Sequence, residues 1–259
     1  DAGVSGLVVG STTGEGTLLT PSEKISLLRY VCAFTEGKIP IIAGVSAHTA
    51  KQAIEIGKEM ENAGADGLLV MTPYLTGVTQ DGLVDFFGQV AMGCAMPFII
   101  YHSPARSGVK IEVETFAKLA ELPYVVGIKE TDGDLSRLSS LLAEWAPSIP
   151  FYAGHEDLLL PLLSFGGAGI ISVLSNLLPK EMMKTVHYFS DGDFQLAKEI
   201  WRTWHPLVAP LFCEVNPIPI KAALSAVGLC ENRVRPPLFP NTEMASVWQK
   251  WFCEVGLSW

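Results

Sequence analysis

Seven short, almost wholly apolar runs, each followed by a stretch of helical periodicity, leave this chain few ways to fold. The runs are Leu7 to Gly10, Pro40 to Val45, Gly67 to Thr72, Pro97 to His102, Val125 to Glu130, Phe151 to Gly154 and Gly169 to Val173. Their uniform apolarity, in place of strict alternation, marks strands covered on both faces. Strands of that kind lie parallel and are joined by crossover helices.

The intervening segments carry the helix signals. Thr20-Pro21-Ser22-Glu23 is a capping box with Pro at the first helical position, and Gly37 closes the far end. Further helices are read at Ala50 to Ala63, ended by Gly64, and at Asp81 to Met92, Glu114 to Glu121 and Leu135 to Trp145. Another runs from Glu156 to Phe165, ended by Gly166. Pro179 to Trp259 offers no good strand and reads as three or four more helices.

A closed (β/α)8 TIM barrel needs eight strands. Only seven are read, and the sequence opens at Asp1-Ala2-Gly3 as though leaving a helix. The expectation is therefore an α/β protein, a (β/α)8 barrel lacking its first βα unit over residues 1–178. Residues 179–259 would form the last barrel helix and a C-terminal helical extension. The alternative is an open doubly wound sheet. Against it, Gly14-Glu15-Gly16 is not a GxGxxG fingerprint, and Ser11 to Gly16 lacks the GK[ST] of a phosphate-binding loop.

Charge narrows the partners. With 18 basic against 27 acidic residues the formal net charge is −9, which disfavours non-specific binding to nucleic acid or anionic membrane and points to small-molecule substrates. The five cysteines, Cys32, Cys94, Cys213, Cys230 and Cys253, are scattered without CxxC spacing, so they read as reduced thiols in a cytoplasmic compartment. No apolar run approaches the roughly 20 residues of a membrane helix. The opening at Asp1, without an initiator Met, leaves room for a removed signal or transit peptide.

Several residues at strand ends can do chemistry. Lys129 closes the run Val125 to Glu130, at the C-terminal mouth where barrels of this kind build active sites. A desolvated lysine with a lowered pKa attacks carbonyls; the competing reading is a structural ion pair with Glu130. Tyr101 ends the preceding strand and is either a proton shuttle or a rim aromatic with a satisfied hydroxyl. Arg106, on the loop after that strand, is either a bidentate carboxylate clamp or a solvated loop arginine. Thr12 and Thr13 follow the first strand in a Gly-flanked turn that suits an anion or simply a helix entry. His102 is read either as orienting its neighbours or, the commoner case, as a hydrogen-bonded loop histidine. The five histidines, His48, His102, His155, His187 and His205, show no ligand spacing, so no metal is expected.

Six segments in order, Ser11 to Glu15, Thr72-Pro73-Tyr74, Tyr101 to Gly108, Gly127 to Glu130, Gly166 to Val173 and Asn216 to Lys221, resemble the dihydrodipicolinate synthase and N-acetylneuraminate lyase family of class I aldolases. The resemblance spans nearly the whole chain. It accounts for the count of seven strands, because family members begin with a further strand and helix of about 30 residues. It implies a Schiff base between Lys129 and pyruvate, a proton relay through Tyr101 and Thr12, and a carboxylate held by Thr13. Gly154 and Ile171 match positions lining the pyruvate site. Arg106 points to the synthase branch, in which it would bind the carboxylate of aspartate semialdehyde on the route to diaminopimelate and lysine. The resemblance further implies no cofactor, a cytoplasmic enzyme and a homotetramer built as a dimer of dimers.

One position departs from that pattern. The synthases carry two adjacent tyrosines after Thr-Pro, the second completing the relay across a subunit interface, and here that position is Leu75. Leucine relays no proton. A related Schiff-base lyase or dehydratase acting on a sugar-derived 2-oxo acid is therefore the alternative activity, and an inactive regulatory paralogue is the alternative class. His102 and Ser103 stand where the family usually has Asn and an aliphatic residue. In addition, Lys24 and Gln52 replace the histidine and glutamate of lysine-sensitive members, while Tyr74 is retained. A repelling cation and a lost acidic partner predict weak or absent feedback by lysine. The expected result is unchanged turnover in sub-millimolar lysine, and inhibition in that range would refute the prediction.

Overall fold

The computed structural model describes residues 2–145, 148–254 and 256. Seven strands form one sheet in sequential order, and every neighbouring pair is parallel. They are β1 (Leu7–Val9), β2 (Ile41–Val45), β3 (Gly67–Met71), β4 (Phe98–His102), β5 (Val125–Glu130), β6 (Phe151–Ala153) and β7 (Gly169–Ile170). All seven lie where the apolar runs predict them. The last is shorter than the expected Gly169 to Val173, because the chain turns after Ile170 and enters a 3₁₀ turn at Leu174–Asn176.

Contacts divide the chain into two compact units. One comprises Ser5–Ser11 and Leu19–Ile171; the other comprises Asp1–Val4, Thr12–Leu18 and Ser172–Trp259.

The first unit holds the whole sheet, whose two faces follow the period of two along each strand. Leu68 and Val70 of β3, Phe98 and Ile100 of β4, and Ile128 of β5 join the large core shared with the helices. The alternate residues Leu69, Met71, Ile99 and Tyr101 form a second, smaller cluster, with Val8, Ile42, Tyr152 and Ile171 packed against it. Burial on both faces holds for β3 and β4 but not throughout. Leu7 of β1 and Val126 of β5 are exposed. For β1 the reason is its place at the end of the sheet order, with β2 as its strand partner. Gly44 allows the closest backbone approach: a Cβ there would lie 2.6 Å from the Gly10 carbonyl oxygen.

The crossover helices start where the caps predict. Thr20 caps Pro21–Thr35: the Glu23 N–H donates to its Oγ1 at 3.3 Å, and its own N–H donates to Glu23 Oε2 at 2.8 Å. Termination falls one residue before the expected Gly37, with Glu36 already left-handed at φ 53°. Ala50–Asn62 and Gln80–Cys94 are capped by Thr49 and Thr79. Val113–Ala120 and Leu135–Trp145 follow β4 and β5. The single helix expected from Glu156 to Phe165 is instead a 3₁₀ turn, Glu156–Leu158, running into the short helix Leu159–Ser164.

In the second unit, five α-helical segments are described where three or four were expected: Pro179–Ser190, Phe194–Trp204, Val208–Leu211, Ile218–Ala226 and Met244–Glu254. Proline at 206 and at 217 breaks the periodic stretch into shorter pieces. The last residues of the expected stretch lie outside the described ones. Trp204 and Thr185, both fully buried, join two of these helices through an indole N–H donated to Oγ1 at 3.0 Å. Among the described residues no helix is long and apolar enough to cross a membrane.

Replacing Thr20 by Ala removes the Oγ1 acceptor of the Glu23 N–H at an exposed helix start and leaves the backbone N–H free to donate to Glu23. It is expected to lower unfolding free energy by about 1 kcal/mol in urea titration, with the slope unchanged.

Candidate active site

Parallel pairing of β4 with β5 sets Tyr101 opposite Lys129. Both side chains belong to the face of the sheet away from the helices, as Ile99 and Tyr101 do by parity. The Lys129 Nζ lies 4.4 Å from the centroid of the Tyr101 ring. Lys129 is only 8% exposed and Tyr101 5%. Burial strips water from the ammonium and pushes the Lys129 pKa down; the Tyr101 and Glu156 charges oppose that shift and the Arg106 charge adds to it. The lysine is therefore held towards its neutral, nucleophilic form.

The alternative of a Lys129–Glu130 ion pair fails on geometry. Adjacent strand residues point to opposite faces, and Glu130 is engaged by His102, Arg137 and the Asp132 N–H on the other side.

Gly154 and Ile171 join the same neighbourhood. A Cβ at Gly154 would sit 2.9 Å from Lys129 Cε and 2.3 Å from Thr131 Cγ2, so only glycine leaves the lysine its place. Gly154 donates its N–H to the Glu130 carbonyl at 2.7 Å, and Ile171 donates to Ala153 at 2.8 Å. Ile171 packs on the cluster containing Tyr101. Arg106 sits in a short helix, Pro104–Ser107, rather than on an irregular loop, and is exposed. Its charge is near enough to Lys129 to act on it.

Thr12 and Thr13 belong to the other unit. There the Asn216 Nδ2 donates to Thr13 Oγ1 at 2.9 Å. The Thr12 carbonyl accepts from the Glu15 N–H at 3.0 Å. Glu15, buried, receives Lys221 Nζ and the Arg235 N–H, the latter at 2.7 Å. These bonds tie the threonine turn to the segment Asn216 to Lys221, two of the six segments on which the resemblance rests.

His102 corrects the sequence reading. It is the last residue of β4 and fully buried, not a loop histidine. Its Nδ1 lies 2.7 Å from Glu130 Oε1, and the Ile111 N–H donates to its Nε2 at 3.1 Å. Sequence reasoning also missed Tyr152, which pairs with Lys129 in register and packs on the Tyr101 cluster, and Glu156, fully buried. Parity along the strands was the available signal for the first; nothing in the local sequence marked the second.

Other features stand apart from the lysine. A cavity of about 430 Å³ is lined by His48, Lys51, Pro73, Asp85 and Gln89, among others, and by none of the residues named for chemistry. Leu75 is 89% exposed with a left-handed φ of 65°. No group of three or more His, Cys, Asp or Glu suited to a metal ion occurs among the described residues.

The model of the dihydrodipicolinate synthetase family matches residues 1–248. A 4-hydroxy-tetrahydrodipicolinate synthase of Alkaliphilus oremlandii is 39% identical over 238 residues, covering 92% of this chain and 82% of that protein. A monomeric dihydrodipicolinate synthase variant superposes with a TM-score of 0.95 at 34% identity, covering 99% of this chain and 87% of that one. The chloride-inhibited dihydrodipicolinate synthase of Acinetobacter baumannii in complex with pyruvate gives 0.95 at 33% identity, over 99% and 89% of the two chains. With the buried lysine over its tyrosine and a match along nearly its full length, this chain belongs to the dihydrodipicolinate synthetase family.

Proposed function

We propose that the chain is a Schiff-base lyase of the 4-hydroxy-tetrahydrodipicolinate synthase type, condensing pyruvate with aspartate semialdehyde in diaminopimelate and lysine biosynthesis. The observation that carries this is the buried Lys129 amine over the Tyr101 ring, its ammonium form disfavoured by desolvation. Neutral Lys129 attacks the pyruvate carbonyl, and the carbinolamine loses water to give an iminium. Tyr101, with Thr12, moves the protons of those steps. Loss of a methyl proton turns the iminium into an enamine, whose carbon attacks the aldehyde. The iminium is its own electron sink, so the scheme uses neither metal nor organic cofactor.

Thr13 would hold the pyruvate carboxylate, with Gly154 and Ile171 lining the site, and Arg106 would take the carboxylate of the second substrate in a bidentate grip. Leu75, exposed and without a hydroxyl, favours one second reading, a lyase or dehydratase of sugar-derived 2-oxo acids on the same lysine. Closing the seven-stranded sheet into a (β/α)8 barrel requires one further strand between β7 and β1. On this reading residues 1–178 belong to the barrel and 179–259 supply its last helix and a helical extension. A cytoplasmic homotetramer is the assembly the family resemblance supports.

Intact mass spectrometry after pyruvate and borohydride tests the reading: a pyruvate-sized adduct is expected on the parent and none on Lys129→Ala, whereas a folded parent without adduct would overturn it. The pH midpoint for adduct formation should fall below the 10.5 of free lysine. Because the folded pKa is depressed, the unfolded chain binds more protons between the two values, so Lys129 makes stability rise with pH across that window. Lys129→Met should abolish both the adduct and this pH dependence, and should melt no lower than the parent at neutral pH. Gly154→Ala, pressing on Lys129 Cε, is expected to slow adduct formation by about ten-fold or more. Arg106→Ala should leave the adduct intact while raising KM for aspartate semialdehyde; no change in that KM would favour the sugar-derived substrate.

A further inference from the structure

The helix-facing side of the same two strand ends carries a second set of polar groups. His102 and Glu130 are opposite in the β4–β5 register, one step beyond Tyr101 and Lys129, and both are fully buried. Glu130 accepts from His102 Nδ1 at 2.7 and 2.8 Å and from Arg137 at 3.1 Å. Arg137, from the helix Leu135–Trp145, also donates to the Ile111 carbonyl at 2.6 Å and lies 5.2 Å from the Phe116 ring centroid. The Ile111 N–H completes the loop by donating to His102 Nε2. A backbone N–H only donates, so Nε2 carries no proton and the ring hydrogen sits on Nδ1, facing the carboxylate. The cluster is a neutral imidazole, a carboxylate and a guanidinium, each held by the next.

We propose that His102, Glu130 and Arg137 are positioning residues: they clamp the C-terminal ends of β4 and β5 and so set the distance between Tyr101 and Lys129 on the opposite face. The proposal rests on the Schiff-base reading above. The His102↔Glu130 pair is the last in the β4–β5 register, so the side-chain bridge holds the strand ends where the ladder stops. Each of its members is one residue from a member of the reacting pair, so a shift of either strand end moves both. Catalysis by held groups is sensitive to displacements of this kind. Apolar residues of the same size would fill the space, but without bonds that define register.

The test begins on the parent protein, with the rate of borohydride-trappable adduct formation and steady-state kinetics measured for parent, His102→Leu, His102→Asn and Glu130→Gln. Adduct rate and kcat should fall about ten- to a hundred-fold in His102→Leu and Glu130→Gln at temperatures well below their melting points, with KM for pyruvate within about two-fold. His102→Asn keeps one donor and one acceptor and should recover most of the loss. A role in stability alone would lower the melting temperature and leave these rates at parent values, which would overturn the proposal. If the variants fail to fold, nitrogen-15 NMR of the parent's His102 decides: the Nδ1–H tautomer, with Nε2 accepting from the Ile111 N–H, is expected, and an Nε2–H tautomer overturns it. An absent adduct on the parent sinks the Schiff-base reading and this one with it; an adduct with unchanged variant rates sinks the clamp alone.

Discussion

The pairing of β4 with β5 is the constraint on which the rest of the molecule's chemistry depends. Parallel register puts Tyr101 beside Lys129 and His102 beside Glu130, and the pleat sends the two pairs to opposite faces. One face receives a lysine and a tyrosine with little water; the other receives a carboxylate bound by imidazole and guanidinium. Neither arrangement needs an unusual backbone. Both follow from consecutive residues on adjacent strands, which is why a short motif such as Gly127-Ile128-Lys129-Glu130 can serve two environments at once.

Burial sets opposite terms on these two faces. An isolated ammonium in a dry interior is unfavourable, and the protein answers by disfavouring the charge on Lys129. A buried carboxylate would face the same penalty, and here the answer is saturation with donors from His102, Arg137 and the Asp132 N–H. Reactivity and rigidity are thus supplied by neighbouring residues through contrary solutions to one problem. Gly154 belongs to this logic, since any Cβ there would take the volume that the lysine stem occupies.

Family membership and the departures from the family pattern bear on different parts of the molecule. Lysine, tyrosine, arginine and the threonine turn are all present, and they support a pyruvate Schiff base. Leu75 concerns the relay and the identity of the second substrate. Its exposure at a left-handed position shows a leucine that its own first unit does not bury. His102, where the family usually has Asn, lies on the helix-facing side of β4, where its Nδ1 meets Glu130.

The seven strands, most helix starts and the placement of Lys129 at a strand end were legible in the sequence, because apolar runs and capping residues are local signals. Thr20 with Glu23 is an example: the reciprocal bonds lie within four residues, so pattern alone specified them. The short seventh strand and the left-handed Glu36 escaped, since each depends on where the chain must turn in space. The partner of Glu130 was likewise decided by tertiary structure. By sequence Lys129 is its neighbour, yet the pleat separates adjacent side chains, and residues 28 positions back and 7 ahead, His102 and Arg137, are its partners. Sequence alone determined which residue types stand at the strand ends; only the register between strands decided which of them meet, because that register is fixed by the packing of both sheet faces together.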